Sequence, residues 1–360
     1  MYNIDVLIGL LVSKFRLTQL RLEAILKIYI NVEEAVEDNF IRMEGQVDWV
    51  MALKEVELWT VLYADFFEGL ETNNVKVLSI FSAIYPVSLS QLSDKPIVIF
   101  YQGDVSLIHS DALLTVVGSR NHTRYTEKVI EHILVPAICT GVVVVSGLAV
   151  GIDALAHRAA VENKQKTIAV IGSGLDDTSF YPSVNLPLKK QILESGGLII
   201  SEYPIGFAAT KFSFPRRNRI LAALSTITWI VEAGKKSGSL ITAQEAQKLG
   251  RKVITTLAPL FEDQFVGNIE LFRSGSKLVS RPEDILEELG IFSPLRETAA
   301  TLPTDSTHLS IYSFLDTKGK QVELLSEQTG IQTQELMGTL SIMELEGCVE
   351  NIGQNVWVKK

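Results

Sequence analysis

Residues 141–151 read GVVVVSGLAVG: four consecutive valines, followed by a turn rich in glycine. A run of β-branched residues this short cannot form a helix of ordinary length. Its lack of polar alternation is typical of a strand that is covered on both faces. Gly147 and Gly151 permit a sharp turn and a close approach of backbone N–H groups to a bound anion. The segment therefore predicts a buried strand whose carboxyl end carries a functional loop.

The same rhythm recurs along the middle of the chain, where short apolar runs alternate with helical segments. The further runs are ALLTVVGSR (112–120), KTIAVIGSGLD (166–176), GGLIISEYP (196–204), STITWIVEAG (225–234) and RKVITTLAP (251–259). Helical periodicity appears in YTEKVIEHILVPAI (125–138) and SLITAQEAQKLG (239–250). This alternation predicts an α/β fold with a doubly wound, mostly parallel sheet, which binds its ligand beyond the carboxyl ends of the strands.

The length of 360 residues predicts more than one domain. Residues 1–75 have helical periodicity, and residues 76–290 form the α/β domain. Residues 291–308 are rich in Thr, Ser and Pro and are interpreted as a linker. Residues 309–360 contain three short helical segments and then a hairpin near Gly353, which is the order of a winged helix.

Composition excludes several classes of protein. With 47% hydrophobic and 21% charged residues, the chain is typical of an ordinary soluble globular protein. No apolar run is long enough to cross a membrane, and the N-terminus lacks the pattern of a signal peptide. Cys139 and Cys348 have no neighbours at metal-ligand spacing, which fits a reducing cytoplasm and gives no support to a structural zinc or a disulfide. We expect a cytoplasmic protein that holds no metal and no cofactor.

The net charge of −9 conceals an uneven distribution along the chain. Residues 111–290 contain 20 of the 33 basic residues and 18 of the 42 acidic ones, so this part is +2 and the remainder is −11. The charge of the whole chain therefore does not exclude a nucleic-acid ligand, since the local field at a cleft determines what binds there.

Several predicted strands end in glycine-rich turns. The turns are Gly118–Arg120, Ser146–Asp153 and Gly172–Asp176. None is a complete G-x-G-x-x-G, and no G-x-x-x-x-G-K-[ST] is present, which disfavours a dinucleotide or P-loop ATP site. Several such turns on one sheet edge, one of them with an arginine, favour an anion site.

The segment TKFSFPRRNR (210–219) combines cations, aromatic rings and an amide: Lys211, Arg216, Arg217, Arg219, Phe212, Phe214 and Asn218. Basic residues that alternate with aromatic ones are typical of a groove for single-stranded nucleic acid, where phosphates are neutralised and bases stack. The alternative is structural: backbone carbonyls, or Glu202 and Glu232 at neighbouring strand ends, hold the arginines.

The segment EAGKKSGSLITAQEA (232–246) places two further lysines before a predicted helix. Gly238 allows a close backbone approach, and Ser239 is interpreted mainly as the helix cap. Lys236 is a candidate for phosphate contact, although a loop lysine is usually just solvated.

An enzymatic function is the first alternative. Asp153 and His157 lie four residues apart on one predicted helix face, so either of them, or Glu202, could serve as acid or base in a hydrolase for a nucleotide or sugar phosphate. No nucleophile accompanies them, which favours a structural pair. A scaffold whose acidic termini recruit partners is the second alternative.

The predicted third helix of the winged-helix segment, from Ile331 to Glu346, has no Lys or Arg and three glutamates. A helix that reads the major groove needs cations there. The sequence therefore predicts a protein-contact or auxiliary module, in which only Lys359 and Lys360 are available to phosphates.

Six motifs, taken in order, resemble the DprA/Smf family of bacterial DNA processing proteins. They are VVGSR, VVSGLAVGIDALAH, TIAVIGSGLD…YPSVN, LIISEYPIG, FPRRNRILAALS and VEAGKKSGSLITAQEAQKLGRKV. Their order and spacing hold over roughly residues 80–285. The helical N-terminal segment and the C-terminal winged helix are also similar to that family.

The resemblance implies an extended Rossmann-like fold with a SAM-like N-terminal domain. It implies a non-enzymatic protein that binds single-stranded DNA without sequence preference, forms a homodimer and loads the RecA recombinase during natural transformation (competence). The positions that match the family's DNA pocket are Ser119, Arg120, Gly147, Lys211, Phe214, Arg217, Asn218 and Arg219, with the turn of Gly238 and Ser239 nearby. Lys236, the candidate phosphate contact in that turn, completes the set of DNA-binding residues predicted from the sequence.

Overall fold

The computed structural model describes residues 3–38, 40–43, 59–256, 261–291, 305–316, 319–345, 348–353 and 355–359. The chain divides into two compact units, Met1–Ile291 and Phe292–Lys360. Most of the predicted linker, residues 44–58 of the helical N-terminal segment, and the end of the predicted strand segment RKVITTLAP lie outside the described residues.

The first unit is built on a sheet of nine strands. In chain order the strands are β1 (Lys76–Ser79), β2 (Val98–Gly103), β3 (Leu113–Val117), β4 (Val143–Ser146), β5 (Thr167–Ile171), β6 (Leu198–Ser201), β7 (Ile227–Ile230), β8 (Lys252–Thr256) and β9 (Lys277–Val279). Their order across the sheet is β1-β2-β6-β5-β4-β3-β7-β8-β9. Strands β3 to β9 are parallel, whereas β2 is antiparallel to both of its neighbours.

Helices cover both faces of this sheet, which is why all residues of β3, β5, β6 and β7 are buried. The helices after β1 are α6 (Val87–Ser90), α7 (Arg124–Val129), α8 (Val135–Cys139), α9 (Ile152–Glu162), α10 (Leu186–Glu194), α11 (Ser213–Leu224), α12 (Ser239–Lys248), α13 (Val266–Arg273) and α14 (Pro282–Leu289). A π-helical turn, Ile130–Leu134, joins α7 to α8. The predicted doubly wound, mostly parallel α/β architecture is confirmed.

The N-terminal helices pack on the same sheet. They are α1 (Ile4–Phe15), α2 (Gln19–Leu26), α3 (Val32–Glu37), α4 (Trp59–Leu62) and α5 (Ala64–Thr72). The Asp5 carboxylate accepts hydrogen bonds from the backbone N–H and the hydroxyl of Ser79, and Gly9 lies against Val77. These helices share a hydrophobic core with β1, β2, β5 and β6. The domain boundary at residue 75 and the SAM-like character stay predictions.

The sheet reverses its winding direction at β3. From β3 the chain proceeds through β4, β5 and β6 on one side, and then returns to place β7 on the other side. The loops that follow β3 and β7 therefore diverge, and a crevice opens between them at the carboxyl ends of the strands. In open parallel sheets such a crevice is the usual ligand site.

In its described residues, the second unit contains three helices and a small sheet. The helices are α15 (Ser306–Phe314), α16 (Val322–Thr329) and α17 (Thr333–Leu345), and the strands are β10 (Lys320–Gln321), β11 (Val349–Asn351) and β12 (Val356–Lys359). The strand order is β10-β12-β11, so the predicted hairpin gains a third strand. The predicted winged helix is confirmed. Among the described residues, no helix combines the length and apolar character needed to cross a bilayer.

Candidate nucleic-acid interface

An open groove of about 740 Å³ lies at the carboxyl edge of the sheet, where β3 and β7 diverge. Four segments contribute to it: the loop after β3, the start of α9, the start of α11 and the loop between β7 and α12. Its described lining residues include five cations, Arg120, Lys211, Arg217, Lys235 and Lys236, against one carboxylate, Asp153. The groove is therefore electropositive although the chain is acidic.

Four of these cations form an exposed rim. Arg120, Lys211, Lys235 and Lys236 are all exposed, and none of them takes part in an ion pair with another described residue. Cations that lack acidic partners can neutralise phosphates without first breaking an existing ion pair. The rim therefore suits a phosphodiester chain.

Arg217 differs from the rim cations because its side chain is buried in the floor of the groove. Its Nη1 donates to the carbonyl of Gly147 at 2.6 Å and to that of Val170, and its Nε donates to the Asn218 side chain at 3.2 Å. Burial lowers the pKa of Arg217, and the nearby Asp153 carboxylate opposes this effect. Arg217 thus joins the ends of β4 and β5 to α11.

Gly147 is required by this contact. A Cβ atom at residue 147 would lie 2.0 Å from the Arg217 guanidinium, so only glycine allows the arginine to reach the carbonyl. Gly147 itself lines a small recess beside the groove and not the groove. The sequence predicted that both residues belong to the DNA pocket; in the structure they contact each other.

Asp153 lies in the first turn of α9 and is buried beneath the groove. Its carboxylate accepts from the Gly147 N–H at 3.1 Å. Burial raises the pKa of Asp153, whereas the Arg217 charge and the backbone hydrogen bonds act to lower it. The carboxylate therefore serves to hold the turn after β4 and to balance Arg217.

The start of α12 forms the far wall of the groove. Asn218 donates to the Gly238 carbonyl at 3.4 Å, which connects α11 to this wall. Ser239 is the first residue of α12, and Gly238 occupies the N-cap position without a side-chain cap. The prediction that Ser239 caps the helix is wrong; its hydroxyl lies 2.8 Å from that of Ser237. Both positions nevertheless line the groove.

The loop after β3 is held from below by Glu232, at the end of β7. The Ser119 N–H donates to the Glu232 carbonyl at 2.8 Å, and the Glu232 carboxylate accepts from the hydroxyls of Thr123 and Thr126. The Ser119 hydroxyl donates to the Asn121 carbonyl at 2.8 Å. Glu232 was considered as an arginine partner from the sequence, but it anchors the loop that presents Arg120.

An aromatic cluster borders the groove opposite α12. Phe214 lines the groove, and the Arg120 guanidinium carbon lies 5.5 Å from its ring centroid. Tyr181, which the charge pattern did not identify, packs on Phe214 at 5.6 Å. Phe212 is exposed but does not line the groove, and the Lys211 ammonium lies 5.1 Å from its ring centroid. The exposed rim of cations and the aromatic cluster thus lie side by side.

Arg219 requires a correction. Its guanidinium does not line the groove but is buried, donating to Asp94 and to Glu202 at 2.7 Å each. Burial alone would lower the pKa of Arg219, but the two carboxylates raise it. Arg216 also pairs with Glu202, at 3.3 Å. For these two arginines the structural alternative holds.

Helix α11 therefore has two polar faces. We call Phe214, Arg217 and Asn218 its groove face, and Arg216 and Arg219 its acid face. With about 100° of rotation per residue, the two sets fall on different sides of the helix. Of the eleven site residues predicted from the sequence, nine line the groove, Gly147 lies just beside it, and Arg219 lies on the acid face.

The side chains that could act as acid or base in a hydrolase have partners within the protein. The Thr167 hydroxyl donates to the Val144 carbonyl and therefore accepts from His157 Nδ1, which lies 2.8 Å away. His157 is fully buried, and burial lowers its pKa to about 3. Glu202 is bound by two arginines. These contacts favour the structural interpretation of Asp153, His157 and Glu202.

Comparison with known families gives two matches. Residues 76–290 match the family described as DNA recombination-mediator protein A. Residues 296–353 match the DprA winged helix domain. The first match covers more than half of the chain and includes all four groove segments.

Curated relatives point the same way. The chain is 40% identical over 210 residues to the DNA processing protein DprA of Streptococcus pneumoniae, covering 58% of this chain and 73% of the relative. It is 38% identical over 215 residues to the DprA of Bacillus subtilis, covering 60% and 71%. It is 33% identical over 293 residues to the protein Smf of Escherichia coli, covering 78% and 76%.

Two solved structures share the fold. The DprA of Streptococcus pneumoniae superposes with a TM-score of 0.57 at 33% identity, covering 70% of this chain and 92% of that one. The DprA of Helicobacter pylori superposes with a TM-score of 0.52 at 29% identity, covering 60% and 95%; that structure concerns a single-stranded DNA binding mode.

Proposed function

Because the chain belongs to the DprA/Smf family of DNA processing proteins, we propose that it binds single-stranded DNA without sequence preference and acts as a recombination mediator. The observation that carries this proposal is the groove between β3 and β7, whose exposed rim presents four unpaired cations beside an aromatic cluster. Cations neutralise successive phosphates and rings stack on bases of any identity.

The groove suits a single strand better than a duplex. Its floor is formed by buried side chains, and its aromatic end offers a stacking surface that a paired base cannot reach. Backbone groups at the starts of α9 and α12 add positive potential to the cationic rim. The proposed contacts are therefore Arg120, Lys211, Lys235 and Lys236 with phosphates, and Phe214 and Asn218 with bases or sugars.

A role in natural transformation is the wider proposal, in which the protein protects incoming DNA and loads RecA in the cytoplasm. Family membership supports these steps. We propose a homodimer as well, since two grooves on one assembly would gain affinity for long strands by bivalency. Light scattering measures the mass of the assembly, and RecA filament formation on strands coated with a single-strand-binding protein measures loading.

The experiment that tests the core proposal is a salt titration of binding to single-stranded and duplex oligonucleotides. Four exposed rim cations predict a log–log slope of about −3 for single strands. Arg120→Ala and Lys211→Ala should each reduce the slope by about 0.7 and weaken binding to every base composition alike. Arg273→Ala, on an exposed residue outside the groove, is the matched control. Equal affinity for duplex, or a slope near zero, would contradict the proposal.

A nucleotide-hydrolysis assay beside this titration tests the alternative enzyme. Turnover that Asp153→Asn or His157→Gln abolishes, without loss of folding, would favour the hydrolase. The winged helix is proposed as an auxiliary protein-contact module, because α17 carries Glu335 and Glu344 and no cation. Loss of single-strand affinity on removal of Lys359 would contradict that role.

A further inference from the structure

We propose that the ring of Tyr181 is a base-stacking subsite that extends the groove by about one nucleotide beyond Phe214. This inference rests on the proposed binding of single-stranded DNA and assigns a place for a base to a residue outside the predicted set. Tyr181 lies in the loop between β5 and α10, and the residue is 49% exposed.

Tyr181 is continuous with the groove. A small recess of about 30 Å³ lies between it and Phe214, and the recess shares Arg120, Ala149, Phe214 and Arg217 with the groove lining. The two rings are 5.6 Å apart and inclined at 51°. A strand that leaves the groove past Phe214 therefore meets Tyr181 next.

Phe214 alone is a restricted platform. It is half-buried, the Arg120 guanidinium covers its ring at 5.5 Å, and Tyr181 packs against it from another side. A base that stacks fully on Phe214 would have to displace one of these neighbours. Tyr181 presents about half of its surface without such a cover, so it is the more accessible ring at this end.

The surroundings of Tyr181 suit a nucleotide. Among the described residues that line the recess, none is acidic, and two are arginines. Arg120 borders both the groove and the recess, so it can pair with the phosphate that connects a base in the groove to a base on Tyr181. Val150 and Pro182 add apolar edges against which a base can pack.

The test is an abasic scan. Single-stranded oligonucleotides with one abasic position moved along the strand are titrated against the wild-type chain, Tyr181→Ala, Tyr181→Phe and Tyr181→Leu. For the wild type, we expect one or two adjacent positions at which loss of the base weakens binding about 5- to 20-fold, the lower range for base–aromatic stacking. Tyr181→Ala and Tyr181→Leu should weaken binding of the intact strand by the same factor, and Tyr181→Phe should not.

The decisive feature is coupling. In Tyr181→Ala and Tyr181→Leu, the abasic site at the sensitive position should have no further effect, because the ring and the base act as a pair. Phe81→Ala, on a ring that is 41% exposed and outside the groove, is the matched control and should bind like the wild type. Leucine retains most of the apolar contact with Phe214, so it reports on stacking even where alanine perturbs the loop.

Additive losses in the scan, or an unchanged affinity of Tyr181→Leu for intact strands, would overturn the subsite. An unchanged affinity of Tyr181→Leu would instead favour a contact between the Tyr181 ring and a protein partner. Failure of the wild-type chain to bind single strands at all is a different result, because it contradicts the proposed function itself.

Discussion

Arg217 and Arg219 are two residues apart on α11, yet their guanidinium groups have different surroundings. Arg217, on the groove face, donates to the carbonyls of Gly147 and Val170 and is opposed by a single buried carboxylate, that of Asp153. Arg219, on the acid face, is held by Asp94 and Glu202. The first arginine lies in the floor of the groove, where Asp153 balances its charge, whereas the second lies outside the groove and is paired with two carboxylates.

A run of arginines is therefore not one functional unit. Helical rotation assigns successive positions to separate surroundings. The groove is completed by cations from other segments, namely Arg120 and the lysines of the rim. The acid face instead fastens α11 to the end of β6 and to the loop before β2.

The largest effect is expected from Arg217→Met. It leaves two buried carbonyls without their donor and Asp153 without its opposing charge, so the free energy of unfolding should fall by about 3–5 kcal/mol. Urea unfolding of the full chain measures this. Lys211→Met, at an exposed rim position, is the matched control and should change stability by no more than about 0.5 kcal/mol. An unchanged unfolding midpoint for Arg217→Met would show that the groove face has no structural role.

Arg219→Gln comes next. It removes a buried charge and leaves Glu202 with only the exposed Arg216, so we expect a loss of about 2–3 kcal/mol in the free energy of unfolding. The salt slope of DNA binding should not change in the folded protein, because the guanidinium does not line the groove. Arg120→Gln should show the opposite pattern. A reduced slope for Arg219→Gln would break the distinction between the two faces.

A pH titration of the free energy of unfolding tests whether the buried His157 of α9 is neutral in the folded protein. Burial lowers the pKa of His157 from 6.5 to about 3. Below pH 6.5 the unfolded chain therefore binds a proton that the folded chain binds only near pH 3. The free energy of unfolding should therefore decrease as the pH is lowered, by about 2 kcal/mol between pH 6.5 and pH 4.5 from this group. His157→Gln should show a correspondingly shallower decline. Parallel profiles for the two proteins would mean that the histidine is not held neutral.

Arg216→Ala should have the smallest effect. Arg216 is 57% exposed, and exposed ion pairs contribute about 0.5 kcal/mol or less. We expect an almost unchanged urea midpoint and an affinity for single strands within about two-fold of the wild type. A large loss of affinity would place the acid face on the path of the DNA.

The sheet and the groove loops were predictable because strands buried on both faces lack polar residues. The carboxyl ends of parallel strands also meet at one edge. That rule predicted that Arg120 and Lys236 would lie in the groove. Glu202 was anticipated as a partner of the arginines, but Asp94, the other partner of Arg219, was not predictable because it lies 125 residues away and in an irregular loop. Ser239 was misassigned as a cap because the helix boundary there differs by one residue.

The close contact of Gly147 with Arg217 illustrates a further limit. A glycine in a turn after a strand predicts backbone freedom, but it does not say which side chain will occupy the space. Tyr181 was missed because it carries no charge and stands outside the basic segment. The packing of its ring on Phe214, and the recess that both rings line, connect it to the groove.

The placement of β7 beside β3 has a consequence for biosynthesis. Leu114 pairs with Ile227 across more than a hundred residues of intervening chain, and α12 must follow before the far wall exists. A nascent polypeptide that has left the ribosome only as far as β6 already contains the turns after β3, β4 and β5, but it has no groove. Translation must pass Lys248 before the protein can capture a strand, so the ligand cannot engage a half-made chain through this site.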